Sequence, residues 1–452
     1  MRTGRWLTSY QIEFKDPNKL KQKFQSTNPI TGETKEFYKV YEEQKKYQSM
    51  SFKKDYDNKN NITNNSKSLR IGRIDTNNKI SQINHSELKS KNYMKVPSNN
   101  SMQSNAYSSL VQIKVKGLPN IGLTCYMNSV LQCLFHLEAL TTIISKMSLN
   151  EITHPISYAF QRVIEYLKES PQQNTYSYYN SYGNRRPSSL DLFQSAISKC
   201  SLFRSFTPCD SKDLVIFLLE NMHNELNENR NRQYKPGLID QKNEWQTLSD
   251  VFNRFFTENK SVFIDLFYGF TETNFLCLNC GTYTYNFQIF DFVDVPLLQL
   301  VNFKNSYNLR IEDYFFMSMQ NKVTDPNNLM YCQSCAKETF TQSLDIFYSL
   351  PNILVISLNY GKNAMVKANV DFDERLDLSN YIFNPYSPKE YSLRGVICHR
   401  GSSNSAGHYV AYCKHFDNKW YCFDDNNVLD ASFSDCKKGG NLPYVLFFEK
   451  IY

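Results

Sequence analysis

The stretch GLPNIGLTCYMNSVLQCL, residues 117–134, decides how this part of the chain folds and where its most reactive side chain lies. Gly117, Pro119 and Gly122 predict an irregular loop. After the loop, apolar residues recur at the spacing of one face of a helix, namely Met127, Val130, Leu131, Leu134 and Leu137. Thr124 is expected to cap this helix, so Cys125 is predicted to be its first residue.

The position of Cys125 favours a reactive thiol. Unpaired backbone N–H groups and the helix dipole at a helix N-terminus stabilise a thiolate. Cys125 is therefore predicted to be a nucleophile, whereas Cys133, two turns into the same helix, is expected to be inert. A buried structural role is the alternative for any single cysteine.

A second informative stretch is GHYVAYCKHFDNKWYCFDDNNV, residues 407–428. Two alternating, aromatic-rich segments flank Asp417 and Asn418, a pair suited to a turn, and this pattern predicts a β-hairpin. The hairpin brings His408 and Asp424 onto facing strands, where a carboxylate can hydrogen-bond an imidazole and fix its tautomer. Such a pair supplies the base and the orienting acid of a cysteine protease, although an aromatic hairpin of this kind is also ordinary fold material.

The pattern of the chain changes near residue 262. Helical periodicity dominates before it, and β-rich segments such as ILVISL at 353–358 and YVLFFE at 444–449 follow it. Helices followed by strands predict an α+β protein with a cleft between its two parts.

The N-terminal quarter of the chain differs in composition from the rest. Residues 1–110 hold 20 of the 51 Lys and Arg residues but only 10 of the 44 Asp and Glu residues. Residues 50–108 are rich in Asn, Lys and Ser without a sustained period, so they cannot bury enough apolar surface to offset their ordering entropy. We expect 1–110 to be a largely disordered basic extension; a segment that docks a specific partner, within the more aromatic residues 1–49, is the alternative. The remainder is nearly neutral, so no nucleic-acid partner is expected.

The chain shows no signal for a membrane or for secretion. No apolar run reaches the roughly 18–20 residues that span a bilayer, and the start MRTGRWLTSYQ lacks the apolar segment of a signal peptide. We therefore expect an intracellular protein, cytoplasmic and/or nuclear, without a membrane partner. The sequence indicates no oligomeric state.

The 12 cysteines are too dilute and too unevenly spaced to predict a disulfide scaffold. Four of them form two C-x₂-C pairs, Cys277 with Cys280 and Cys332 with Cys335. Two such pairs supply the four thiolates of a closed, tetrahedral structural Zn²⁺ site, with no position left for catalysis. One pair alone would be equally compatible with a redox pair or with chance.

The two informative stretches together resemble a known family. Residues 117–134 are similar to the cysteine box of the ubiquitin-specific proteases, and GHYVAY at 407–412 with KWYCFDD at 419–425 is similar to their histidine box. The resemblance extends over roughly residues 115–452. It implies a papain-like hand of the α+β class, with a helical thumb, a β palm and zinc-bearing β fingers. The catalytic domain would occupy 111–452 and the fingers roughly 262–345.

The resemblance also implies an activity. The chain would be a deubiquitinating thiol protease that hydrolyses isopeptide or peptide bonds at the C-terminal glycine of ubiquitin, with ubiquitin and ubiquitinated proteins as its partners. A protease for another ubiquitin-like modifier and a catalytically idle ubiquitin-binding scaffold are the alternatives. The implied catalytic residues are Cys125, His408, Asp424 and Asn120, the implied substrate-binding residues are Asp213 and Tyr409, and the implied zinc ligands are Cys277, Cys280, Cys332 and Cys335.

At three positions the match to the family is incomplete or leaves a choice open. Asp425 is a second acid beside Asp424, and only the family match favours Asp424. Leu123 stands where the family usually has Asn, and we expect little effect from this change. Ile216 stands where the family has an acid that meets the arginines of the ubiquitin tail, which would leave Asp213 alone in that role; a core position for Ile216 is the alternative.

Overall fold

The computed structural model describes residues 25–27, 34–36, 113–169, 188–204, 207–237, 240–361, 365–382, 384, 387–403 and 406–451. The chain divides into two units, Met1–Lys91 and Asn92–Tyr452. Two short antiparallel strands, β1 (Gln25–Thr27) and β2 (Thr34–Glu36), are described in the first unit. The extension predicted over 1–110 otherwise lies outside the described residues and stays a prediction.

Within the described part of the second unit, seven of the α-helices come before any strand, as the change of pattern near residue 262 predicts. None of the helices in the described residues combines the length and the apolar character that a membrane crossing needs. In chain order, the helices are α1 (Cys125–Phe135), α2 (Glu138–Lys146), α3 (Pro155–Lys168), α4 (Ser189–Ile197), α5 (Ser211–Leu226), α6 (Glu244–Glu258), α7 (Val262–Phe267), α8 (Leu297–Lys304) and α9 (Ile311–Ser318).

The strands of the second unit begin directly after α7 and continue to the last described residues. They are β3 (Gly269–Cys277), β4 (Tyr283–Phe290), β5 (Val293–Pro296), β6 (Asn308–Arg310), β7 (Lys322–Val323), β8 (Met330–Cys332), β9 (Lys337–Thr339), β10 (Thr341–Ser349), β11 (Ile353–Asn359), β12 (Asn369–Asp371), β13 (Arg375–Asp377), β14 (Glu390–Ser403), β15 (Ala406–Lys414), β16 (Trp420–Asp424), β17 (Asn427–Ala431) and β18 (Asn441–Lys450).

One eight-stranded sheet organises the unit. Its order is β17-β16-β15-β14-β18-β11-β5, with β13 also paired to β14, and all of these pairs are antiparallel except β5 with β11. Side chains of β11 alternate between two cores: Val355 packs with the helices α1, α3 and α5, whereas Leu354 and Ile356 pack with α8 and α9 on the other face. The apolar run of β11 is uninterrupted because both faces of the strand are buried. The mixed architecture confirms the predicted α+β class.

Helix α1 packs directly against β15, and this contact brings the predicted nucleophile on α1 near the predicted base on β15. The Cys133 sulfur is 3.8 Å from the Cys413 sulfur on β15. A Cβ atom at Gly395 of β14 would lie 2.9 Å from the Cys133 sulfur, so this close approach requires glycine. The first residue of α1 thereby comes to the start of β15, which carries His408.

A second, smaller sheet has the order β4-β3-β10-β7. It carries the first cysteine pair at the end of β3, and the separate two-stranded sheet of β8 and β9 carries the second pair. The interval 262–345 predicted for the fingers also contains β5, α8 and α9, which pack with the large sheet and its second core.

Candidate active site and cysteine cluster

Cys125 is the first residue of α1, as predicted, and it is partly exposed. Thr124 occupies the N-cap position, but its hydroxyl makes no capping hydrogen bond to the first turn. The Thr124 Oγ1 instead accepts a hydrogen bond of 3.1 Å from the Ile121 N–H, so it stabilises the loop before the helix. The predicted N-cap position of Thr124 is therefore confirmed, but the side-chain capping bond is not formed, because the hydroxyl bonds the preceding loop instead.

Asn120 holds that loop together. Its Oδ1 accepts hydrogen bonds from the backbone N–H groups of Gly122 at 3.0 Å and Thr124 at 3.1 Å. Its Nδ2 donates to Asp425 Oδ2 at 2.9 Å. An amide nitrogen carries two hydrogens, so the second N–H of the fixed side chain stays available for an oxygen that develops negative charge.

His408 lies beside a thiol and a carboxylate. Its Nε2 is 2.6 Å from Asp424 Oδ1, and the Cys125 side chain lies close enough to raise the pKa of the ring. Because Nε2 is engaged with Asp424, Nδ1 is the nitrogen left for the thiol. The interaction with Cys125, acting against partial burial and together with Asp424, raises the pKa of His408 to about 9. This arrangement supports a proton donor and acceptor beside a sulfur nucleophile.

The adjacent acids Asp424 and Asp425 contact different partners. Asp425 does not contact His408 through a hydrogen bond; its Oδ1 accepts from Asn128 Nδ2 of α1 at 2.8 Å, and its Oδ2 accepts from Asn120. The Asp425 backbone is left-handed, with φ of 51°, a conformation that aspartate tolerates better than most residues. The Asp425 carbonyl also accepts from the Leu118 N–H at 2.9 Å. Asp425 therefore ties the loop before Cys125 to the hairpin that carries His408.

The two predicted substrate-binding residues differ in burial. Tyr409 is buried, and its ring is 6.2 Å from that of Tyr444, whose hydroxyl donates to Asp210 Oδ2 at 2.7 Å. These tyrosines line a small cleft together with Asn359, Tyr360, Gly361, His399 and Leu442. Asp213 is exposed on α5 and does not line this cleft.

Ile216 lies one turn after Asp213 and is 37% exposed, so it does not belong to the core. Leu123, two residues before Cys125, is 52% exposed and has a left-handed backbone with φ of 56°. Asn adopts this conformation more readily than Leu, which explains why Asn suits the position. The left-handed backbone at this position therefore favours Asn over Leu, a preference that the sequence alone does not reveal.

The sulfur atoms of the four cysteines in the two C-x₂-C pairs all lie within 4.8 Å of one another. The sulfurs of Cys277 and Cys335 are 3.8 Å apart, and those of Cys280 and Cys332 are 3.7 Å apart. A tetrahedral zinc ion with Zn–S bonds of about 2.3 Å keeps its sulfurs about 3.8 Å apart, whereas a disulfide bond is about 2.05 Å long. The cluster therefore has the dimensions of a metal site and can bind a metal ion.

The sequence matches the family model described as ubiquitin carboxyl-terminal hydrolase over residues 116–448. Among curated relatives, ubiquitin carboxyl-terminal hydrolase Usp2 of Drosophila melanogaster is 28% identical over 350 residues, covering 74% of this chain and 34% of the relative. Ubiquitin carboxyl-terminal hydrolase 25 of Arabidopsis thaliana is 26% identical over 347 residues, covering 74% of this chain and 47% of the relative. This chain thus spans less than half the length of these relatives.

Two solved structures share the fold. The SAGA DUB module Ubp8/Sgf11/Sus1/Sgf73 bound to monoubiquitin aligns with a TM-score of 0.55 at 17% identity, covering 84% of this chain and 77% of that chain. The same module bound to ubiquitin aldehyde aligns with a TM-score of 0.53 at 18% identity and the same coverage. At these identities the likeness establishes the fold alone.

Proposed function

The chain belongs to the ubiquitin carboxyl-terminal hydrolase family, and we propose that it is a deubiquitinating thiol protease that hydrolyses isopeptide or peptide bonds at the C-terminal glycine of ubiquitin. The observation that carries this proposal is the position of His408, which lies beside the Cys125 thiol and contacts the Asp424 carboxylate at 2.6 Å. Ubiquitin and ubiquitinated proteins are its proposed partners, and the cytoplasm and/or nucleus its proposed location. Both solved neighbours are complexes with a form of ubiquitin, which supports this choice of partner.

The proposed reaction follows the geometry of the site. The Cys125 thiolate attacks the carbonyl carbon of the terminal glycine, and the His408 imidazolium donates its proton to the leaving amine. Water then attacks the thioester while His408 accepts a proton, which releases ubiquitin with a free carboxylate. Asp424 keeps the ring and its tautomer in place throughout.

Asn120 is proposed to stabilise the oxyanion. The tetrahedral intermediate places negative charge on the former carbonyl oxygen, and the loss of one aimed N–H donor costs about 10²–10³ in rate. Because Asp425 receives one N–H of Asn120, we infer that Asp425 sets the direction in which the other N–H points. Asp425 is thus a positioning residue in this proposal.

The proposed domain boundaries follow from the same resemblance. Residues 111–452 would form the catalytic domain, with fingers at roughly 262–345, and 1–110 would form an extension outside it. The family model, which starts at residue 116, supports this division.

Cleavage of ubiquitin carrying a fluorogenic amide at its C-terminus tests the proposed function. The matched control is the same amide on a different ubiquitin-like modifier. We expect kcat/KM for the ubiquitin substrate to be at least about tenfold higher than for the control. Turnover of the control alone would assign the chain to another modifier, and ubiquitin binding without any turnover would indicate an idle scaffold.

We propose that the cysteine cluster binds one structural Zn²⁺ through Cys277, Cys280, Cys332 and Cys335. The matching sulfur separations support this, and Asn279 Nδ2, which donates to the Cys335 sulfur at 3.1 Å, would orient that ligand. All four zinc positions are filled by protein, so the ion would stabilise the fingers and take no part in bond cleavage.

Elemental analysis of the purified chain is expected to give one zinc per chain. Cys332→Ser should lower the zinc content and the melting temperature, because metal binding contributes directly to folding. Cys200→Ser is the matched control, since Cys200 lies outside the cluster. Less than half an equivalent of zinc, in protein never exposed to a chelator, would contradict the site.

The acidic contact to the ubiquitin tail is proposed to depend on Asp213 alone. Asp213 and Ile216 lie three residues apart on α5 and are both exposed, so an incoming basic tail would meet one carboxylate and one apolar side chain. Charge-assisted hydrogen bonds contribute about 1.5–3 kcal/mol. Asp213→Ala should therefore raise KM for ubiquitin substrates more than about tenfold with little change in kcat.

The complementary variant Ile216→Glu should lower KM, because it adds a second carboxylate to the same face. Glu220→Ala is the matched control on the next turn of the helix. Steady-state kinetics with the fluorogenic ubiquitin substrate measure all three variants. Parental kinetics in Asp213→Ala would show that the tail contacts lie elsewhere.

A further inference from the structure

Arg400 on β14 lies directly opposite His408 on β15 and directly opposite Asn441 on β18. Directly paired residues of antiparallel strands project to the same face of a sheet, so these side chains meet. Arg400 is about one-third exposed, and its charge is permanent. It is thus a fixed positive charge beside the catalytic histidine.

Every nitrogen of the Arg400 guanidinium is engaged. Nη1 donates to Asp424 Oδ2 at 3.1 Å, Nε donates to Asn441 Oδ1 at 2.6 Å, and Nη2 donates to the Tyr412 hydroxyl at 3.0 Å and contacts the Cys422 sulfur at 3.7 Å. Asn441 Nδ2 in turn donates to the Tyr412 hydroxyl at 2.9 Å. The planar guanidinium is therefore held in one orientation from several sides.

The two carboxylate oxygens of Asp424 have different partners. Oδ1 contacts His408 and Oδ2 contacts Arg400. Rotation of the carboxylate would break both contacts together, so Arg400 fixes the plane in which Asp424 meets the imidazole. We propose that Arg400 is a positioning residue of the active site, which orients Asp424 toward His408 and shares the negative charge of that carboxylate.

The charge of Arg400 also bears on the proton of His408. Arg400 opposes the attraction that Asp424 exerts on the imidazolium, because both cations share one carboxylate. The other titratable groups that face this pair are Cys125, Asp425, His399, Tyr412 and Cys422. Replacing Arg400 with a neutral residue should therefore make His408 retain its proton to higher pH.

This inference rests on the proposed function, and two readouts distinguish a failure of the inference from a failure of the proposed function. One is steady-state kinetics of the full chain with the fluorogenic ubiquitin substrate across pH 6–11, and the other is the titration of His408 by NMR over the same range, which needs no turnover. The variant Arg400→Met keeps a long side chain and removes its charge. The variant Arg400→Lys keeps the charge and removes the planar set of guanidinium N–H donors. Arg375→Met is the matched control, since Arg375 is exposed and pairs with Glu390 away from the site.

We expect Arg400→Met to lower kcat at least about tenfold with KM changed less than about twofold, because small misplacements of catalytic groups are costly. The alkaline limb of its kcat/KM profile and the titration of His408 should both move up by about one pH unit. Arg400→Lys should keep the parental alkaline limb and recover part of kcat. Arg375→Met should match the parent in both readouts.

An unchanged His408 titration in Arg400→Met would overturn the proposal, whatever the activity. A loss of kcat that comes only with a lower melting temperature, with the pH profile unshifted, would also overturn it by showing a purely structural role. If Arg400→Met does not fold, Arg400→Lys decides: parental kcat there would contradict the orienting role. A parent chain that titrates as expected but does not cleave ubiquitin would refute the proposed function and leave the role of Arg400 to be decided by NMR.

Discussion

Cys125→Ala is expected to abolish cleavage of ubiquitin substrates, with turnover reduced by more than about 10⁴-fold, and to leave ubiquitin binding intact. The thiol is the only proposed nucleophile, so alanine removes the group that forms the covalent intermediate. The surrounding loop stays in place because Asn120 and Asp425 hold it through contacts that do not involve the sulfur. Turnover is measured with the fluorogenic amide, and binding is measured by calorimetry with free ubiquitin.

Cys133→Ala is the matched control on the same helix. Cys133 is fully buried against Cys413, and burial raises the pKa of its thiol well above the ordinary value, so we expect it to take no part in the chemistry. Its removal should leave kcat within about threefold of the parent, at a modest cost in stability. Residual turnover in Cys125→Ala together with loss of turnover in Cys133→Ala would overturn the assignment of the nucleophile.

His408→Ala is expected to be nearly as inactive as Cys125→Ala, because it removes both the proton donor and the partner of the thiolate. Asp424→Ala should be milder, since an orienting acid neither attacks the substrate nor takes the proton. In the parent, the pKa of about 9 at His408 predicts that activity falls as the pH rises through 9, where the imidazolium is lost. Rate profiles over pH 6–10 measure both effects.

A larger loss in Asp424→Ala than in His408→Ala would contradict this division of roles. Asp417→Ala is the control within the same hairpin. Asp417 lies at the turn, where its carboxylate accepts from the Tyr421 hydroxyl and the Lys419 N–H, so its loss should affect stability more than rate.

The parts of the fold that the sequence predicts are those with a strong local signal. The loop residues before Cys125 and the apolar spacing after it predict α1 and its first residue, and the helix is found at Cys125–Phe135. The turn at Asp417 and Asn418 predicts the hairpin, found as β15 and β16. The order of strands in the large sheet has no such local signal, because pairs such as β14 with β18 depend on long-range packing.

Within the site too, the residues with a local sequence signal are predictable and the long-range contacts are not. Chemistry and family resemblance point to Cys125 and His408. The hairpin alone does not separate Asp424 from Asp425, because the partner that engages Asp425, Asn128 on α1, is distant in sequence. Arg400 was missed because its role depends on strand register. If β14 and β15 are assumed to form a hairpin, the length of the loop places Arg400 opposite His408. The contact of Arg400 with Asp424 cannot be predicted in this way, because Asp424 lies on a third strand, β16.

The central claim is that Cys125 is a nucleophile directed at the C-terminus of ubiquitin. Its most direct test is to incubate the full chain with ubiquitin that carries a thiol-reactive electrophile in place of the terminal glycine carboxylate, and to identify the modified residue by mass spectrometry. We expect a single covalent adduct at Cys125, which forms in the parent and is absent in Cys125→Ala. An adduct at another of the 12 cysteines, or no adduct while the chain is folded, would contradict the claim.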